Sequence, residues 1–149
     1  MRAETAWAAW LGDFRWTHAL TLTFRRQHGP TAARLALGRF FRDLGRRASS
    51  TVPWFFVLEQ THSGQLHAHA LIQAELMPSE VKAAWQPGQS KVERFDPSRG
   101  WCPYITKEVG DGAVDWDISH KARPRRRLRT NSRISAQGFL GIGPSAKFR

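Results

Sequence analysis

The sequence predicts an α+β domain, an antiparallel sheet with helices packed on it. Three observations lead there. Segments of alternating polarity interleave with segments of helical spacing in the order β-α-β-β-α-β-α-β. Two apolar runs at the centre are separated by Ser63-Gly64-Gln65, which reads as the turn of a hairpin. The chain has 149 residues, 41% of them hydrophobic, with seven Trp and no internal repeat. That is one domain with enough apolar surface for a proper core.

The elements follow in order. Trp7, Trp10, Leu11 and Phe14 keep helical spacing and predict a short N-terminal amphipathic helix. Trp16 to Phe24 reads as a strand, with Leu20 and Leu22 on one face and Thr21 and Thr23 on the other. Gly29-Pro30 breaks the chain, and Thr31 is placed to cap the next helix. Leu37, Phe40, Phe41 and Leu44 form its buried stripe, with Arg34, Arg42 and Arg46 mostly elsewhere on it. Strands are expected at about 54–61 and 66–73, then a short helix from Pro78-Ser79 to about Trp85. After the Pro87-Gly88 turn, Lys91 to Phe95 is a short strand. Asp96 or Ser98 could cap a helix holding Trp101, Tyr104, Ile105 and Val109, although Gly100 and Pro103 weaken its first turn. Gly110-Asp111-Gly112 ends it, and Val114 to Ile118 alternates like a last strand.

Charge is distributed unevenly. Residues 1–117 carry 14 Lys+Arg and 12 Asp+Glu, whereas residues 118–149 carry 9 Lys+Arg and no acid. A nearly balanced domain therefore precedes a strongly basic segment around Lys121-Ala122-Arg123-Pro124-Arg125-Arg126-Arg127-Leu128-Arg129. Such a segment suits a polyanion, most simply nucleic acid. A solvated tail is the plain structural reading. No apolar run reaches membrane-spanning length, and the first residues lack the shape of a signal peptide. Cys102 is the only cysteine, so an internal disulfide and a cysteine-cluster zinc site are excluded. A soluble, cytoplasmic protein is expected. Arginine outnumbers lysine, which favours a bacterial host; in a eukaryotic host Arg123 to Arg129 would read as a nuclear localisation signal.

The chemistry concentrates in Glu59-Gln60-Thr61-His62-Ser63-Gly64-Gln65-Leu66-His67-Ala68-His69. Alternation puts His67 and His69 on one strand face, about 7 Å apart along it. Two imidazoles so placed can converge on one metal ion, and Glu59 on the preceding strand can join them. If Thr61 pairs with His67, Glu59 lies opposite His69; a slip of one residue would send Glu59 to the other face. Tyr104, the only tyrosine, and Lys107 are three residues apart and leave one helix face together. A metal-polarised phosphodiester, a tyrosine hydroxyl and a nearby ammonium suit transesterification, giving a covalent phosphotyrosine and a free 3′ hydroxyl. Each piece alone also fits a bland role: core packing for Tyr104, a solvated helix position for Lys107, a surface ion pair for Glu59.

Their joint order resembles the catalytic domain of the HUH endonucleases, in particular the rolling-circle replication initiators, or Rep proteins. Ala19-Leu20-Thr21-Leu22-Thr23-Phe24 is similar to the first Rep motif. His67-Ala68-His69 with Ala70-Leu71-Ile72-Gln73 looks like the metal-binding motif, and Glu59 like the extra carboxylate of the viral initiators. Tyr104-Ile105-Thr106-Lys107-Glu108-Val109-Gly110-Asp111 resembles the third motif. The likeness spans about residues 17–118. Ala68 departs from it, being small where the family has a bulkier apolar residue. No G-x-x-x-x-G-K-[ST] motif is present, so a separate helicase is expected.

The resemblance implies a ferredoxin-like fold, with a catalytic domain at 1–118 and a basic tail at 119–149 that contacts DNA or is partly disordered. It implies that Glu59, His67 and His69 hold Mn²⁺ or Mg²⁺, with manganese favoured by the imidazoles. Tyr104 would attack a phosphate of single-stranded, hairpin-associated origin DNA and stay on the 5′ end, aided by Lys107. Thr21 and Thr23 would support the site or the DNA. Arg25, Arg26, Lys121, Arg123, Arg125, Arg126, Arg127 and Arg129 would contact backbone phosphates. Two alternatives stand beside this reading: a single-tyrosine transposase, and a basic nucleic-acid-binding module without catalysis.

Overall fold

The structure, a computed structural model, describes residues 3–107, 109 and 114–122. Helix α1 (Ala3–Gly12) leads into strand β1 (His18–Thr23), helix α2 (Pro30–Ala48), strands β2 (Trp54–Gln60) and β3 (Leu66–Ile72), helix α3 (Pro78–Ala84) and strand β4 (Ser90–Arg94). A single 3₁₀ turn (Pro97–Arg99), helix α4 (Trp101–Thr106) and strand β5 (Asp115–Ile118) follow. The five strands form one antiparallel sheet in the order β4-β1-β3-β2-β5. The first four strands with α2 and α3 make the β-α-β-β-α-β unit of the ferredoxin-like fold. The expected α+β architecture is therefore present, with β5 added beyond β2.

Strand alternation divides the core in two. Leu20, Leu22 and Phe24 of β1 face α2 and α3, where they meet Leu37, Phe40, Leu44, Phe56 and Ile72. Ala19 faces the other way, into a second core with Leu11, Phe55, Leu71, Ile105 and Trp116, which α1 and α4 cover. This second core is largely aromatic: Trp7 meets Trp116 edge-on at 5.3 Å, and Phe14 stacks on Trp16 at 5.3 Å. Each buried large side chain contributes roughly 1.5–3 kcal/mol by leaving water. α4 has only 6 residues, so it covers one end of this sheet face. The ends of β1, β2 and β3 that carry Thr21, Thr23, Glu59 and His67 stay partly accessible on that face.

Three local expectations are corrected. Thr31 does not cap α2. Gly29 is the N-cap, Pro30 takes the first helical turn, and no side chain bonds the free N–H groups. Asp96 caps the 3₁₀ turn, accepting from the Ser98 N–H at 2.9 Å. α4 begins only after Gly100, whose φ of +71° redirects the chain. Val109 lies beyond the end of α4, though it is still buried in the second core.

Arg34 fastens β5 to the rest. From α2 it grips Asp115 through two bonds of 2.6 and 2.7 Å and reaches Asp117 at 3.3 Å. Asp115 and Asp117 lie on the α2 side of a strand whose other side carries Trp116 and Ile118. Lysine cannot reproduce the two-pronged grip. Because the pair is about one-third exposed, Arg34→Lys should cost about 1 kcal/mol. Urea unfolding monitored by Trp fluorescence would measure this; an unchanged midpoint would show that the grip adds nothing.

Gly88 sits where backbone crowds it. A Cβ there would collide with the Thr23 carbonyl. The loop before β4 can thus lie flat on the end of β1, where the Arg25 N–H bonds the Pro87 carbonyl at 2.7 Å and the Trp85 Nε1 donates to the Thr23 carbonyl at 3.0 Å.

Candidate metal centre and nucleophile

The hairpin of β2 and β3 builds the metal-ligand set. Gly64, at φ +85°, turns the chain, and the Thr61 N–H bonds the Gln65 carbonyl at 2.7 Å. The register is shifted by two residues from the expected one: Thr61 faces Gln65, and Glu59 pairs with His67 rather than His69. A shift of two keeps every side chain on its face, so the three residues still gather on one side of the sheet. His69 is flanked by Val57 on β2 and Thr21 on β1.

The side chains converge tightly. Glu59 Oε2 is 3.0 Å from His67 Nε2 and 3.1 Å from His69 Nε2. One ligand atom from each residue lies within 4.8 Å of the other two. Ligands at about 2.1 Å from a common cation stand about 3 Å apart when adjacent, which is the spacing these pairs have. Two imidazole nitrogens and a carboxylate oxygen suit a borderline divalent ion, manganese over magnesium. The donor set therefore fits the expected cation. Thr21 Oγ1 lies 3.4 Å from His69 Nδ1, where it can orient the ring from behind.

The electrostatics agree with ligation. Burial alone would raise the Glu59 carboxyl, but its hydrogen bond with His67 and the neighbouring His69 and Lys107 hold it below its ordinary value. Burial pushes the His69 imidazole down, against the pull of the Glu59 carboxylate. A carboxylate that keeps its charge and a histidine that resists protonation are the states a cation needs.

Tyr104 and Lys107 arrive from α4. Tyr104 is 46% exposed, and its ring stands edge-on to His69 with centroids 5.2 Å apart. Lys107 Nζ lies 4.4 Å from the centre of the Tyr104 ring and 3.3 Å from Glu59 Oε1. One ammonium thus touches both the hydroxyl-bearing ring and the ligand set. Trp101, one turn earlier, is edge-on to Tyr104 at 6.2 Å and 6.4 Å from His69. The sequence placed Trp101 in the helix's apolar stripe; its i−3 spacing from Tyr104 was the signal that it borders the site. Cys102, on the same helix, is no rival nucleophile, because burial pushes its thiol up to about 11.

The remaining expected residues divide. The Thr23 hydroxyl bonds the Gln89 backbone at both its carbonyl and its N–H, at 3.1 and 3.0 Å, so it secures the loop before β4. Arg25 and Arg26 are exposed just past the end of β1, and Lys121 is exposed after β5. Arg123, Arg125, Arg126, Arg127 and Arg129 lie outside the described residues. Among the described residues, no helix is long and apolar enough to cross a membrane.

Comparison with known proteins gives one family. The model of the replication-associated protein family of the ORF2 type matches residues 17–112. That span runs from the start of β1 past the end of α4, so it contains the hairpin, Tyr104 and Lys107. No curated protein and no solved structure gives a significant match.

Proposed function

Because this chain belongs to the replication-associated protein family of the ORF2 type, we propose that it initiates replication as a metal-dependent endonuclease of the HUH type. Its substrate is single-stranded DNA, which it nicks and rejoins through Tyr104. The observation that carries this reading is the convergence of Glu59, His67 and His69 beside the exposed ring of Tyr104 in one copy of the chain. A transposase with its tyrosine helix exchanged between copies needs no such proximity within one chain.

Glu59, His67 and His69 would hold one Mn²⁺ or Mg²⁺, which when bound polarises the phosphodiester and neutralises charge developing on it. The Tyr104 oxygen attacks phosphorus, and the bond from phosphorus to the 3′ oxygen breaks. The phenol proton ends on that 3′ oxygen. The products are a tyrosine ester on the 5′ end and a free 3′ hydroxyl. One ester replaces another, so a 3′ hydroxyl can reverse the step and join strands. Lys107, beside both Tyr104 and Glu59, supplies positive charge to the phosphate as it changes partners. Trp101 offers an aromatic surface for a base next to the cleaved bond. Arg25, Arg26 and Lys121 contact backbone phosphates. With no nucleotide-driven motor in the sequence, strand opening falls to a separate helicase.

The test is a denaturing gel of the protein mixed with single-stranded oligonucleotide pools, with Mn²⁺ or with chelator. A metal-dependent adduct that survives denaturation is expected. Tight binding that ignores chelator and leaves no adduct would instead make the chain a nucleic-acid-binding module.

A further inference from the structure

A second cationic feature lies outside the metal centre. Arg25 and Arg26, from the segment after β1, and Arg39, from α2, line one open groove with His28 and Gln86. All three arginines are exposed, and no carboxylate pairs with them among the described residues. Other arginines of α2 are satisfied locally: Arg34 by Asp115 and Asp117, Arg46 and Arg47 by Asp43. Three like charges facing one groove without a counter-ion repel each other and gain nothing for the fold.

The groove is not isolated from the metal centre. Thr23 pairs with His67 across β1 and β3. Thr23 and Arg25 together line an intervening groove with Gln65, Gly88 and Gln89. Arg25 belongs to both grooves. A backbone leaving the His67 end of the sheet therefore meets Thr23, then Arg25, then Arg26 and Arg39, on a continuous path over the end of β1.

The lining indicates the form of the ligand. The groove contains no Trp, Tyr or Phe. Its one flat ring, His28, is tied to the Arg26 carbonyl at 2.6 Å and packs against Phe24 at 5.0 Å. Single strands are held by stacking bases on aromatic side chains, and that means of recognition is missing here. The aromatic rings stand instead at the metal centre, as Trp101 and Tyr104. Leu35 is exposed on the groove wall, but one leucine is too small an apolar surface to dock a protein. Guanidinium groups without stacking surfaces suit the phosphates of paired strands, whose bases are already stacked on each other.

From this we infer that Arg25, Arg26 and Arg39 form a docking groove for base-paired DNA flanking the cleaved single strand. The inference rests on the nicking reading for its biological sense, but its test does not. Fluorescence anisotropy in chelator, where no nicking occurs, would compare wild type with Arg26→Ala/Arg39→Ala. The control is Arg15→Ala/Arg42→Ala, which removes the same charge from exposed sites elsewhere. The probes are a DNA duplex, its separated strand and an RNA duplex of the same sequence, each over a salt series. The groove variant should bind the DNA duplex at least about tenfold more weakly, and its log–log salt slope should be shallower by about 2, at roughly 0.9 per lost phosphate contact. The control should change little, and the separated strand should be affected less than the duplex. Equal losses in both variants, no loss in either, a larger loss on the separated strand, or a preference for the RNA duplex would each overturn the assignment.

Discussion

Tyr104→Phe will bind single-stranded DNA as wild type does and leave no covalent adduct. The ring contacts argue for the first half. Phenylalanine keeps the edge-on packing with His69 and Trp101 and the surface under Lys107. The lost hydroxyl belongs to a residue 46% exposed, so no buried polar partner is orphaned. The chemistry argues for the second half. Tyr104 is the only tyrosine in the chain, and the Cys102 thiol is buried and held protonated. Removing a lone nucleophile should lower adduct formation by at least about a thousandfold. Adduct yield on a denaturing gel and affinity by anisotropy separate the two halves. Persistence of the adduct in the Phe variant would remove Tyr104 from the nucleophile's place. Loss of binding together with the adduct would make the ring a structural contact.

Much of this was legible before any coordinates because the informative patterns are local. Strand alternation alone placed Leu20 and Leu22 opposite Thr21 and Thr23, and it put His67 and His69 together. The hairpin turn at Gly64 carries its own backbone demand. The exact pairing was not legible, because a shift of two residues leaves the hydrophobic pattern unchanged. Glu59 therefore faced the correct side while its direct partner was misassigned. The start of α4 was missed for a related reason: Asp96 and Ser98 satisfy capping chemistry, but within a 3₁₀ turn that Gly100 separates from the helix. The grip of Arg34 on β5 joins residues 81 positions apart, and no periodicity links them. The groove of Arg25, Arg26 and Arg39 likewise depends on α2 lying beside the end of β1, which only the fold supplies.

Metal binding gives the second large effect, and it can be read without any DNA. A cation that binds the folded chain stabilises it by RT ln(1 + [L]/Kd), about 2.7 kcal/mol at a hundredfold excess over Kd. Manganese should therefore raise the unfolding temperature of wild type in a concentration-dependent way, and chelator should reverse the rise. Glu59→Gln keeps the shape of the side chain but removes the only carboxylate of the set, leaving two imidazoles. Its stability should not respond to manganese over the same range. Thr21→Val tests the contact behind the metal face. It removes the hydroxyl near His69 Nδ1 while leaving all three ligands, so the response should survive at about 10- to 100-fold higher manganese. This graded order distinguishes ligation from a general ionic effect: a surface acting only through charge would treat Thr21→Val as wild type. The metal-free baseline also matters, because Glu59 already holds Lys107 at 3.3 Å and both histidines. Glu59→Gln should lower that baseline, so each protein is compared with its own chelated state. Equal manganese responses in wild type and Glu59→Gln would show that the three side chains gather for the fold alone.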